Sequence, residues 1–83
     1  MFARATNRTL FGMRHIKKLW SEIGRYRFFV EEQQEEQWAL GVYDKDTQRT
    51  HLEFEPTEEQ AKDLATWYAR HLTDPTAILS WQS

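Results

Sequence analysis

Eighty-three residues without a cysteine make room for one domain, held together by apolar packing with neither a disulfide nor a thiolate metal site. Four Trp, three Tyr and five Phe supply the surface to bury. The net charge of −2 conceals a segregation, since residues 1–30 carry +6 and residues 31–63 carry −8. No apolar run approaches the roughly 20 residues that span a bilayer, so a soluble, cytoplasmic protein with no membrane partner is expected. Organellar import is a minor alternative, because the Arg-containing N-terminus is free of acids as far as Glu22.

Residues 1–9, "MFARATNRT", read as a mobile basic arm, and residues 10–83 as a single α+β domain. From Leu10 the spacing is helical: Met13, Ile16, Trp20 and Ile23 fall on one stripe with Leu19 at its edge, and Arg14 and Lys18 face away. Thr9 would cap this N-terminal helix and Gly24 would end it.

From Arg25 the period becomes two. Tyr26, Phe28 and Val30 point one way, with Arg25, Arg27 and Phe29 opposite. The second run places Trp38, Leu40 and Val42 against Ala39, Gly41 and Tyr43. Between them lie only Glu and Gln. Pairing Val30 directly with Trp38 leaves about residues 32–36 as a connection. It holds none of the residues that tight turns favour, which predicts a wide loop or a two-stranded finger. "DKDTQ" (44–48) is a polar turn. The third strand is expected to turn Leu52 and Phe54 inward and His51, Glu53 and Glu55 outward.

Pro56 stops that strand. Thr57 as cap, Gln60 three residues on, and Glu58 and Glu59 in the first turn predict a helix. Its buried stripe is Ala61, Leu64, Ala65, Tyr68 and Leu72. Asp74 and Pro75 end it, and a short C-terminal helical turn would return Ile78, Leu79 and Trp81 to the body. The predicted fold is α-β-β-β-α, a three-stranded antiparallel β-meander flanked by two helices. This order resembles that of double-stranded RNA-binding domains in topology alone. The places where that family contacts RNA hold Glu31 to Glu36 and Thr57-Glu58-Glu59-Gln60 here, which would repel phosphate.

Chemistry is sparse. His51-x-Glu53 has a spacing of about 7 Å on one strand face that would suit a metal, but alternating polar groups describe any solvent face. No nucleophile has a neighbouring base, and three glycines form no phosphate loop. No enzyme activity, metal or cofactor is expected.

Partner binding is the better reading. The outer sheet face, with Arg25, Arg27, Phe29, Tyr43, His51 and Glu53 around a small centre, suits a protein partner. Trp67 lies off the buried stripe of its helix, so either the returning Ile78, Leu79 and Trp81 cover it, the favoured reading, or it is an exposed anchor for a partner. Glu35 and Glu36 would suit a basic partner. A homodimer through the outer face or an edge strand would set Arg25 and Arg27 opposite Glu53 and Glu55. Arg4, Arg8, Arg14, Lys17 and Lys18 are the alternative, a basic track for nucleic acid. The expected function is that of a small non-enzymatic binding or regulatory protein, a profile that accessory or inhibitor proteins of phages and mobile elements would fit.

Overall fold

A computed structural model describes residues 16–83. Four antiparallel strands, β1 (Lys18–Ile23), β2 (Tyr26–Gln34), β3 (Gln37–Asp44) and β4 (Arg49–Glu55), form a meander in sequence order, followed by one helix, α1 (Glu58–Leu72). The α+β class and the antiparallel sheet agree with expectation, but the sheet has four strands rather than three. Residues 18–23, expected as the end of a helix, are β1. The expected arm and the first turns of that helix lie outside the described residues.

The strand is explained by alternation. Leu19 and Ser21 are buried and Ile23 is partly so, while Lys18, Trp20 and Glu22 face out. Leu19 and Ile23 fit either period, and so short a window does not separate the two. The link to β2 decides it. Ile23 pairs with Tyr26, leaving Gly24 and Arg25 as a two-residue loop, and Gly24 takes φ +61°. A positive φ at the first central residue alone is the hairpin geometry that glycine provides.

The β2–β3 hairpin is a finger with a tight tip. Gln34 pairs with Gln37, so the loop is Glu35 and Glu36, and the register shifts between Glu32 and Gln34. Val30 pairs with Leu40, and Trp38 with Glu32, so the expected Val30–Trp38 pair is displaced although both lie on the helix side.

The strand β4 reverses an expectation. Asp44 pairs with Arg49 around a four-residue turn, and Asp44 Oδ1 accepts from the Asp46 amide at 2.9 Å. Asp44 shares the helix side with Val42 and Leu40, so this register turns Arg49, His51, Glu53 and Glu55 toward the helix. Leu52 and Phe54 go to the outer face, 54% and 53% exposed. A one-residue difference in loop length exchanges the two faces of a strand, and residue type alone does not set it.

Thr57 caps the helix as expected: the Gln60 amide donates to Thr57 Oγ1 at 3.1 Å, and that hydroxyl donates in turn to Gln60 Oε1 at 3.0 Å. Ala61, Ala65 and Ala69 are fully buried, and their small side chains let α1 sit close on Phe28, Val30, Leu40 and Val42. Leu64 and Tyr68 flank this core, whereas Leu72 is exposed and Ala69 takes its expected place. The helix lies on β2 and β3 more than on β4.

After α1 the chain makes one turn, in which the Ala77 amide donates to the Asp74 carbonyl at 2.9 Å, and no further helix follows among the described residues. Leu79 and Trp81 pack on the core while Ile78 stays exposed. The tail bridges β1: the Trp20 amide donates to the Gln82 carbonyl at 2.8 Å and the Gln82 amide to the Trp20 carbonyl at 2.9 Å. The Ser80 amide donates to Oγ of buried Ser21 at 3.0 Å, which gives that hydroxyl a partner. Among the described residues no helix is long and apolar enough to cross a membrane.

Candidate functional site

The outer sheet face is built from rows of paired residues. The central row runs Trp20, Phe29, Gly41, Leu52, one residue from each strand. On one side lie Glu22, Arg27, Tyr43 and Thr50, and on the other Lys18, Glu31, Ala39 and Phe54. Gly41 makes the centre shallow. A Cβ there would stand 2.3 Å from Cε1 of Phe29, whose ring lies across the glycine. Trp20, Leu52 and Phe54 are all exposed, and none of the described residues forms a layer over them. An apolar strip crossing the whole sheet is unusual for a solvated face.

Charge is confined to the β1–β2 end of the flanking rows, where it is paired. Arg27 Nε donates to Glu22 Oε2 at 2.7 Å, Lys45 Nζ lies 3.4 Å from Glu22 Oε1, and Lys18 Nζ lies 3.7 Å from Glu31 Oε2. The Arg27 hydrogen bond leads in holding the Glu22 carboxyl below its ordinary value, with Lys45 adding to it. The Arg27 guanidinium also stands 5.4 Å from the centre of the Trp20 ring.

Of the residues expected on this face, Arg27, Phe29 and Tyr43 are there. Arg25 is not: it sits in the β1–β2 turn, where Nη2 donates to Asp44 Oδ2 at 2.8 Å. His51 and Glu53 are on the opposite face, for the register reason given above. Trp20, Leu52 and Phe54 were missed as outer-face residues. The signal for Trp20 was the two-residue alternation of 18–23 ending at a glycine, and for Leu52 and Phe54 it was the length of the turn.

His51 and Glu53 instead meet the helix. His51 Nε2 is 2.8 Å from Glu53 Oε2 and 3.1 Å from the Tyr68 hydroxyl, which itself donates to Glu53. That hydroxyl, then His51, lowers the pKa of Glu53, and the same carboxylate raises that of Tyr68. The three groups satisfy one another and lack a nucleophile. Among the described residues no three His, Asp or Glu side chains gather as a metal site.

Beside this trio a groove between β4 and α1 is lined by Glu53, Glu55, Asp63, Leu64, Trp67 and Tyr68. Trp67 is half exposed, with the His71 ring 3.9 Å away at 30° and Tyr68 meeting it edge-on at 5.0 Å. The tail packs on the core and leaves this tryptophan open. Glu35 and Glu36 border a depression with Phe54, Glu55 and Pro56 at the finger tip.

Of the basic track, Arg4, Arg8 and Arg14 lie outside the described residues. Lys17 Nζ is 3.0 Å from Glu58 Oε1, and Lys18 is paired with Glu31 as above. Compared with known proteins, the chain matches no family model, no curated protein and no solved structure.

Proposed function

We propose that the protein is a non-enzymatic binding module that engages a partner protein on its outer sheet face. One observation carries this reading: the row Trp20, Phe29, Gly41, Leu52, extended by Phe54 and Tyr43, is apolar across all four strands and has no cover among the described residues. Burying an exposed Leu or aromatic side chain contributes about 1.5–3 kcal/mol, so a few such residues suffice for a specific contact. The face charges already have partners within the chain and favour an apolar contact over a salt-dependent one.

The test is affinity capture from the source cells with the wild-type protein and with a Trp20→Ser, Phe54→Ser variant that retains its circular dichroism spectrum. The wild type is expected to hold one partner at stoichiometric yield from about 50 to 200 mM salt, and the variant to lose it. Equal capture by both would sink the reading. Retention of nucleic acid that disappears steeply over the same salt range would replace it with the basic track of Arg4, Arg8, Arg14, Lys17 and Lys18.

A further inference from the structure

The two edges of the sheet differ. The β1 edge is bridged by the tail at Gln82, whereas nothing among the described residues pairs with the outer edge of β4. The direction of the β4 backbone groups follows from the bonds elsewhere in the sheet. The Trp20 amide and carbonyl both point away from β2, to Gln82. In an antiparallel ladder hydrogen-bonded and non-bonded pairs alternate, so Trp20–Phe29 is a non-bonded pair, Phe29–Gly41 a bonded one and Gly41–Leu52 non-bonded. The bond from the Glu32 amide to the Lys17 carbonyl and that from Lys45 to Arg25 obey the same parity. Thr50, Leu52 and Phe54 therefore present their N–H and C=O groups at the free edge.

The protection on this edge is limited to the charges that β4 turns toward the helix side. The β3–β4 register has no bulge, no Pro or Lys lies within β4, and the side chains alternating with its charges are Thr50, Leu52 and Phe54. Its sequence, Arg-Thr-His-Leu-Glu-Phe-Glu, also places a basic residue at one end and an acidic one at the other, so that the ends meet with opposite charge when the strand is reversed. Antiparallel pairing about Leu52 sets Arg49 opposite Glu55 of the second copy, His51 opposite Glu53, Thr50 opposite Phe54, and Leu52 opposite Leu52. Each pair falls on one face of the sheet. Neither Arg49 nor Glu55 has an ionic or hydrogen-bonded side-chain partner among the described residues of its own chain.

We infer that two copies join through β4, edge to edge about a two-fold axis at Leu52, as one continuous eight-stranded sheet. Six backbone hydrogen bonds follow from this register, two for each of the pairs Thr50–Phe54, Leu52–Leu52 and Phe54–Thr50. Both helices lie on one side of the combined sheet. On the other side the two apolar rows run into one, from Trp20 of one copy to Trp20 of the other. This pairing does not depend on what binds the outer face.

The experiment is light scattering over a dilution series of wild type, Arg49→Glu, Glu55→Arg and the double reversal, each checked for an unchanged circular dichroism spectrum. Either single reversal brings like charges together at two symmetric places and is expected to raise the dimer dissociation constant by about tenfold or more. The double reversal is expected to restore it. Hydrogen exchange should show the Thr50, Leu52 and Phe54 amides protected at high concentration and losing protection on dilution. A wild type that stays monomeric at the highest concentration overturns the proposal. So does a dimer that neither single reversal weakens, or one that the double reversal fails to restore.

Discussion

Glu53 gains its place in the fold from a hydroxyl. With Tyr68 donating to it and His51 beside it, the carboxylate is favoured over the acid, and its folded pKa lies below the ordinary 4.5. A depressed folded value contributes stability that is present above about pH 4.5 and is lost as the pH falls through the folded value. Glu22, Asp44 and Glu58 are shifted in the same direction. For Asp44, partial burial opposes the shift and is outweighed by Arg25 and by the amides of Asp46 and Thr47. The Glu53→Gln variant should therefore show a smaller drop in melting temperature between pH 7 and pH 3 than the wild type. Tyr68 works in the other direction. Its raised pKa contributes stability below about pH 10.0 that is lost as the pH rises through the folded value. A wild-type acid limb in Glu53→Gln, followed by calorimetry, would remove the Tyr68 bond from this account.

The β2–β3 finger shows how an element forms against its local chemistry. Glu36 occupies the left-handed region at φ +60° without being glycine, at a cost of about 1–2 kcal/mol. Glu36→Gly relieves the strain but adds freedom to the unfolded chain, so a net gain of about 0.5–1 kcal/mol is expected in urea unfolding. A loss of stability would show that the Glu36 side chain supports the tip. The expected finger was legible because Tyr26, Phe28 and Val30, then Leu40 and Val42, repeat with period two across a polar gap. The helix cap was legible because Thr57 and Gln60 act within one turn. What escaped was non-local. For β1, a six-residue window suited both periods, and the Gly24 hairpin settled the outcome. The faces of β4 depend on a count of turn residues, so Leu52 and Phe54, the most exposed large apolar residues of the candidate site, were assigned to the core. The tail answers to a strand 59 residues away at Ser21, which no local pattern announces. Arg27, Phe29 and Tyr43 were placed correctly because they alternate with core residues on the best-defined strands.

Across the whole molecule, the charge segregation along the chain becomes pairing in space. Lys17 reaches Glu58, Lys18 reaches Glu31, and Arg25 reaches Asp44 and Asp46, so much of the basic segment meets the acidic one within a single copy. Exposed pairs of this kind contribute little each, about 0–1 kcal/mol, and the core carries the stability. The bridge between Trp20 and Gln82 has a different consequence, for the order of events in time. The meander consists of neighbouring strands and forms from short loops, while the tail reaches β1 across nearly the whole described chain. Its contacts are therefore expected to form after the rate-limiting barrier to folding and to be released first on the way back. Ser21→Ala removes the acceptor of the Ser80 amide, worth about 0.5–1.5 kcal/mol, and should speed unfolding by about two- to twelvefold while leaving the refolding rate unchanged in a stopped-flow chevron. A slower refolding limb would put the tail inside the folding nucleus. If the unfolding limb alone moves, the lifetime of the folded state is set by how firmly its last few residues hold the first strand.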